Sequence, residues 1–244
     1  MLAGNQICSP PVGCQIHSIH TETQMKKTML MLGGLMTLGT GTALAQDNPF
    51  GAPTVVYNVN VGKSLVYVVT RKDSSTVGSG LSHDHAVRAN KFSGTIGWNN
   101  MEADKCNFNI TVQVDGLEND SGDMRRTAGL PDNLTDDMRA KIRKAMMASD
   151  QLDGANHSTM AFQSTSCTHT GGTNFKVVGD MTIRGSTVQV TVPMDIKADG
   201  TKLGATGSFS VNGSEFGIEP KSAAGGTIKN LDKWTFHVTF GAQK

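Results

Sequence analysis

Two histidines that flank an aspartate, His83, Asp84 and His85, have the clearest potential for chemistry. Side chains alternate across a strand, so both imidazoles are expected on one side and Asp84 on the other. A pair of imidazoles arranged in this way can supply nitrogen ligands to Zn²⁺ or Cu²⁺. Two ligands do not complete a site, and no later histidine stands at metal-ligand spacing. Structural hydrogen bonding at a strand start, contact with a ligand headgroup and metal binding therefore all stay open for His83 and His85.

Three arginines form a second candidate group, because Arg125 and Arg126 precede a predicted helix and Arg139 lies in it. Three guanidinium groups near one opening could bind a phosphate through charge-assisted hydrogen bonds. Solvated surface arginines are the alternative. The sequence has no G-x-S-x-G, H-E-x-x-H, C-x-x-C or P-loop motif, so we expect neither catalysis nor a catalytic cofactor.

The composition argues against several classes of partner and fold. The 22 Lys and Arg residues are balanced by 21 Asp and Glu residues, so no net field is available to attract nucleic acid. Aromatic residues make up only 5% of the chain, and there are 28 glycines. This mix favours short strands joined by tight turns over a bundle of helices.

The N-terminal segment is typical of an export signal. Two lysines precede an apolar stretch at 28–44, which ends in an A-x-A cleavage site. We predict a signal peptide at 25–45, cut after Ala45, with residues 1–24 lying upstream of the true translation start. A membrane anchor is the alternative, but the stretch is short for a span and is interrupted by glycines. The product is therefore expected in the periplasm or outside the cell.

Two cysteines remain after this cut, Cys106 and Cys167, and in an oxidising compartment they are expected to form a disulfide. The strand phase poses a difficulty for this pairing. Cys106 shares a face with Phe108, whereas Cys167 is out of phase with Phe162. A bridge therefore requires a β-bulge or a frayed strand end. Two free thiols are the alternative.

Residues 46–52 are expected to form a flexible leader and 53–244 a single domain, since no linker interrupts the later chain. Within that domain apolar and polar residues alternate in short runs, which is the pattern of half-buried strands. The predicted strands are 55–59, 65–69, 86–98 with a kink near Asn90, 108–114, 160–168, 175–183, 188–196, 203–211 and 234–240. Glycine-containing turns at 184–185 and 199–200 predict hairpins. Because closure removes exposed sheet edges, we predict an all-β antiparallel barrel.

One helix interrupts these strands. Thr135 is the expected N-cap, and two aspartates follow it in the first turn, where the helix dipole favours anions. We predict a helix at 136–148 that lies near the barrel mouth and turns its apolar face inward. That face is formed by Met138, Ile142, Ala145 and Met146. Flexible methionines suit a cavity wall that adapts to an apolar ligand, although such a stripe is also common in an ordinary core.

The order of these segments resembles the YceI-like family of secreted, lipocalin-like barrels that bind polyisoprenoid lipids. The resemblance spans almost the whole chain after residue 53. It rests on Y-x-V at 57–59, S-x-V at 64–66, F-S-G-T-I at 92–96, S-D-x-L-D at 149–153, M-x-F-x-S-T at 160–165, V-G-D-M-T-I-x-G at 178–185, the run 207–212 and E-F-G-I at 215–218. Two segments depart from the commoner family pattern, the L-S-H-D-H-A run at 81–86 and the longer stretch at 122–131.

The resemblance implies an extended eight-stranded antiparallel barrel whose interior takes the tail of an isoprenoid, such as a quinone or a polyprenyl phosphate. On this hypothesis the apolar ligand contacts are Phe92, Phe108, Met138, Ile142, Met146, Phe162, Phe216 and Ile218. The headgroup candidates are His83, His85, Arg125, Arg126 and Arg139.

The predicted function is therefore an exported protein that carries or sequesters an isoprenoid or another long apolar lipid as its ligand, without a cofactor. A metal-binding protein or metal-dependent enzyme that uses His83 and His85 is the alternative. We expect transient contact with a membrane for lipid exchange and no nucleic-acid partner. The oligomeric state is open, with a homodimer as one option.

Overall fold

The structure is a computed structural model that describes residues 55–100 and 102–244. The predicted upstream segment and signal peptide, together with the leader at 46–52, lie outside the described residues.

Alternation of apolar and polar residues places the strands close to where the sequence predicts them. In the strand Asn174–Ile183, for example, buried and more exposed side chains alternate along its length. The strands are β1 (Val55–Val59), β2 (Leu65–Lys72), β3 (His85–Ala89), β4 (Phe92–Trp98), β5 (Asn107–Gln113), β6 (Leu117–Asn119), β7 (Thr159–Gly171), β8 (Asn174–Ile183), β9 (Ser186–Ala198), β10 (Lys202–Asn212), β11 (Ser222–Ala223) and β12 (Ile228–Gln243).

Eight of these strands close into an antiparallel barrel, as predicted. Their order is β1, β4, β5, β7, β8, β9, β10 and β12, and the pairing of β12 with β1 closes the ring. Strands β2, β3 and β6 extend the wall beside β12. Along the chain, short breaks separate β2 from β1, β3 from β4, and β6 from β5. The break between β3 and β4 confirms the kink predicted near Asn90. The contact of Asn58 and Val59 of β1 with the end of β12 joins the two ends of the sheet.

Tight turns connect the long strands β8, β9 and β10. In the two-residue turn between β8 and β9, Arg184 has φ 50° and Gly185 has φ 77°. Two positive φ values are what a type I′ hairpin needs, and glycine reaches them without strain. The turn before β10 has Gly200 at φ 87°. Both hairpins predicted from the sequence are confirmed.

The inserted segment between β6 and β7 contains two helices, α1 (Gly122–Thr127) and α2 (Asp136–Met146). The N-cap of α2 is Thr135, whose Oγ1 accepts the backbone N–H of Met138. The helix ends two residues before the predicted end, and α1 was not predicted, because its six residues show no apolar repeat. No helix within 55–100 and 102–244 is long and apolar enough to cross a membrane.

The predicted disulfide joins Cys106 and Cys167, whose Cα atoms are 5.5 Å apart. The register between β7 and β8 shifts between Ser164 and Ser166, so one residue of β7 is bulged there. A bulge reverses the phase of every later side chain in the strand. Cys167 consequently points inward on the same side as Ser164, and both are buried. The bulge that the sequence required for this bridge is therefore present.

Candidate functional site

A cavity of about 320 Å³ lies inside the barrel, which is within the usual range of small-molecule sites. Its wall comes from strands around the barrel, and α2 covers one side through Ile142, Ala145 and Met146. Along β12 alternate side chains face inward from Trp234 to Phe240, a span of about 20 Å at 3.3 Å per residue. The other apolar wall residues include Val66, Val68, Val87, Phe108, Ile110, Val112, Leu117, Leu152, Met160, Phe162, Val177, Met181, Ile183, Val192, Met194, Phe209 and Ile218.

Of the eight predicted tail-contact residues, five line this cavity. They are Phe108, Ile142, Met146, Phe162 and Ile218. The other three, Phe92, Met138 and Phe216, do not line it. Phe92 is buried in the core beside the kink between β3 and β4. The ring of Phe216 stacks on Trp234 with centroids 6.5 Å apart, so it supports a wall residue from behind.

Met138 lies outside the cavity although it shares the apolar face of α2 with Ile142 and Met146. It is in the first turn of the helix, two turns before Met146. Only the later part of the helix therefore covers the cavity.

The polar lining residues gather at one end of the cavity. Thr70 of β2 pairs with His85 of β3, and Lys72 pairs with Asn230 of β12. The backbone N–H of Asn230 donates to the carbonyl of Lys221. The polar side chains of the wall at this end are Thr70, His85, Gln151, Glu219, Lys221 and Asn230. Because Glu219 and Lys221 are exposed, this end opens to solvent.

Behind His85 lies a buried network centred on Asp120. Nδ1 of His85 is 2.8 Å from Oδ2 of Asp120. The other oxygen, Oδ1, accepts the backbone N–H of Ala86 at 3.0 Å and Nη1 of Arg125 at 2.8 Å. Asp120 is fully buried and Arg125 is 1% exposed. Asp120 and Arg125 are therefore removed from water, and the polar atoms of Asp120 are held by His85, Ala86 and Arg125.

Burial alone would raise the pKa of Asp120, because it disfavours the charged carboxylate. The hydrogen bonds from His85, from the Ala86 N–H and from Arg125 together outweigh burial and hold the pKa of Asp120 below its ordinary value. Burial, followed by the neighbouring His85 and Arg125, lowers the pKa of His83. Unlike His85, His83 does not line the cavity.

The three candidate arginines do not meet at the cavity, and none of them lines it. Arg125 also donates to the carbonyls of Pro131 at 2.6 Å and Asp84 at 2.8 Å. Arg126 and Arg139 each pair with Asp132, at 3.2 and 2.9 Å. Their guanidinium groups are thus occupied by acceptors of the protein itself.

Arginines of α2 instead donate hydrogen bonds to backbone carbonyls at the edge of β6 and beside it. Among the described residues, β3 is the only strand that pairs with β6, so its other edge faces α2. Arg143 donates to the carbonyls of Leu117 and Asp115. Arg139 Nε donates to the carbonyl of Asp120 at 2.7 Å. The basic side of α2 therefore satisfies backbone acceptors that a further strand would otherwise pair.

The two histidines are not joined by further metal ligands. In the part of the chain that the structure describes, no group of three His, Cys, Asp or Glu side chains could hold a metal ion. Asp84 faces Arg71, whose Nη1 donates to it at 2.9 Å, and also accepts the backbone N–H of Lys72.

Sequence reasoning missed Asp120, the centre of the polar network. The residue has φ 55° and follows Asn119 in an N-D-S-G run. Asp tolerates the left-handed region better than most residues, so this run signals a turn. Nothing local signals that the turn directs a carboxylate at His85.

Comparison with known proteins agrees with this architecture. A model of the YceI-like domain matches residues 67–240. The chain is similar in structure to BcnA of Burkholderia cenocepacia, with 18% identity, a TM-score of 0.56, and coverage of 76% of this chain and 99% of that one. It also resembles a Campylobacter jejuni YceI protein at 13% identity and a TM-score of 0.47, covering 65% of this chain and 84% of that one.

No curated protein matches the chain significantly. At 18% identity the likeness to BcnA shows a shared fold. The family model covers well over half of the sequence, so this chain belongs to the YceI-like domain family.

Proposed function

We propose that this protein binds a long apolar lipid of the isoprenoid class, with the tail inside the barrel and the polar headgroup at its polar end. The observation that carries the proposal is the apolar cavity under α2, which runs along β12 from Trp234 to Phe240. The family to which the chain belongs is one of binding proteins, and this supports carriage or sequestration of the lipid over its conversion.

Burial of the tail would supply the affinity. Each buried CH₂ group contributes about 0.8 kcal/mol. Ligands of drug size retain only about 0.3 kcal/mol per heavy atom once binding costs are subtracted. A tail of about 20 carbons would thus reach about 6 kcal/mol, without any charged contact. This fits a wall made mostly of aliphatic, aromatic and methionine side chains.

The open end of the cavity offers a route for lipid exchange with a membrane. Leu231 lines the cavity and is 41% exposed. The neighbouring loop carries Val77 and Leu81, which are 98% and 74% exposed. This loop is fixed to the start of β12, since Gly78 N–H donates to the carbonyl of Thr227 at 2.8 Å. We propose that this apolar rim, formed by Val77, Leu81 and Leu231, touches the membrane during exchange.

The proposal is tested on protein exported and purified without detergent. An organic extract of the protein is analysed by mass spectrometry for an apolar compound in about one-to-one ratio. The intact mass of the same sample, expected to match a chain that begins at Gln46, tests export and cleavage. Absence of a lipid from the extract, together with no binding of added isoprenoid, would contradict the function.

A further inference from the structure

At the polar end of the cavity, the ring of His85 is held by the buried carboxylate of Asp120. It lines the cavity, and its Nδ1 is fixed by Asp120, which lies outside the lining. The imidazole edge that the cavity can reach is therefore the one that carries Nε2. Among the described residues, Nε2 of His85 has no hydrogen-bond partner. A buried network thus presents one unused nitrogen to the ligand.

The partners of Asp120 decide where the imidazole proton lies. Asp120 accepts from the Ala86 N–H and from Arg125, so it is placed as an ionised carboxylate. A carboxylate only accepts hydrogen bonds. The proton between His85 and Asp120 therefore belongs to Nδ1 of His85.

An imidazole is ordinarily neutral at pH 8. The negative charge of Asp120 is compensated by Arg125 at 2.8 Å. In neutral imidazole with its proton on Nδ1, Nε2 carries a lone pair and accepts a hydrogen bond.

The cationic group in the cavity wall is already paired. Lys221 forms an ion pair with Asp150, and the side-chain amide of Gln151 donates to the carbonyl of Glu219. Arg125 is fully engaged behind His85. The wall therefore presents no free positive charge that would select a phosphate.

We propose, on the basis of the lipid-binding function above, that this site selects lipids whose polar end is a hydroxyl group. The hydroxyl donates a hydrogen bond to Nε2 of His85. The hydroxyl can belong to a polyprenol or to a quinol, the reduced form of a quinone. Methyl ethers and quinones offer no such donor. Phosphate esters carry negative charge that the wall does not compensate.

The test compares ligands that differ only in the donor. Binding of geranylgeraniol and of its methyl ether to the wild-type protein is measured at pH 8, above the range in which imidazole ordinarily gains a proton. One hydrogen bond predicts about fivefold tighter binding of the alcohol. A prenylated quinol and its quinone form a second pair. Tighter binding of the hydroxyl-bearing ligand in either pair supports the proposal. The pair that shows this preference identifies the hydroxyl as that of a polyprenol or that of a quinol.

Equal affinities within both pairs would overturn the hydroxyl selection while leaving the lipid-binding function intact. No binding of any of the four ligands would overturn both.

Variants assign the preference to His85. His85→Leu is expected to lower the ratio of alcohol to ether affinity from about five to about one. The matched control His83→Leu removes the neighbouring imidazole, which does not line the cavity, and is expected to keep the ratio. An unchanged ratio in folded His85→Leu would contradict the assignment. If that variant does not fold, the ligand pairs on the wild-type protein still decide the proposal.

Discussion

Arg125 forms a buried ion pair with Asp120, and the side chains of these two residues are 2% and 0% exposed. The same guanidinium also donates to the carbonyls of Asp84 and Pro131. One side chain thus ties the start of β3, the end of β6 and the inserted segment together. Such a pair costs desolvation of both charges, so its strength depends on the hydrogen bonds that complete it.

We predict that Arg125→Met destabilises the protein by about 3 to 5 kcal/mol, because it leaves the carboxylate of Asp120 buried without its cation. Urea unfolding measures the loss. The matched control is Arg126→Met at the next position, where the side chain is 66% exposed in its pair with Asp132. That change is expected to cost no more than about 1 kcal/mol. Similar losses in the two variants would contradict the role given to Arg125.

The acid sensitivity of the fold gives a second prediction. The pKa of Asp120 is lower in the folded protein than its ordinary value of 3.8, because bonds from His85 and Arg125 outweigh burial. A lowered pKa contributes stability that is fully present above about pH 3.8 and is lost as the pH falls through the lower folded value. The stability difference between wild type and Asp120→Asn should therefore shrink as the pH falls from about 4 to about 2. A difference that stays constant over this range would contradict it.

Much of the barrel could be predicted from local pattern, because side chains on one buried face must alternate. This held for the strands, for the Arg184–Gly185 turn and for the phase conflict at Cys167 that a bulge resolves. Thr135 was predictable as an N-cap because the cap is a local contact. Each of these features depends on residues close together in the chain.

The polar network was less accessible to sequence reasoning. His85 and Asp120 are 35 residues apart, and their contact depends on β3 pairing with β6. Arg139 could be placed in the helix, but its contact with the backbone at the end of β6 could not be predicted, because β6 is only three residues long. Met138 shared the helical repeat with Met146, and only the packed barrel shows that the cavity ends before it.

The disulfide gives a third prediction. In the oxidised protein, unfolded without reductant, no thiol should react, apart from any contributed by Cys8 and Cys14 if they are retained. Replacing Cys106 and Cys167 by serine should cost about 4 kcal/mol in the chain-entropy model, since the bridge closes a loop of 61 residues. Thiol titration and urea unfolding measure the two effects. Two reactive thiols in the mature protein would rule the bridge out.

Exchange of lipid should depend on the apolar rim. We predict that Leu81→Asp slows transfer of a fluorescent isoprenoid from vesicles several-fold, because a charge there opposes contact with the acyl region. Affinity for the same isoprenoid in solution should stay unchanged, since Leu81 does not line the cavity. The control is Val61→Asp, an exposed position that follows Asn60, whose N–H donates to Gly241 near the opposite end of β12. This variant should transfer lipid at the wild-type rate. Equal slowing by both variants would argue against a specific rim.

The cavity assignment itself is tested at Met146, which closes the cavity from the last turn of α2 without belonging to a barrel strand. Met146→Asp would put an unpaired charge into an apolar site, and desolvating that charge opposes lipid binding strongly. We predict that the folded variant retains less than about one tenth of the co-purified lipid, which corresponds to about 1.4 kcal/mol or more of lost affinity. Mass spectrometry of the organic extract measures the amount retained.

Two controls separate this effect from damage to the helix. Lys144→Asp places the same charge in the same last turn, where it also opposes the helix dipole, but on an exposed position outside the cavity. Met138→Asp changes the same residue type in the first turn, where the dipole favours an anion. Both controls should keep the wild-type amount of lipid. If Met146→Asp folds and keeps it as well, α2 does not face the ligand, and the lipid occupies another part of the protein.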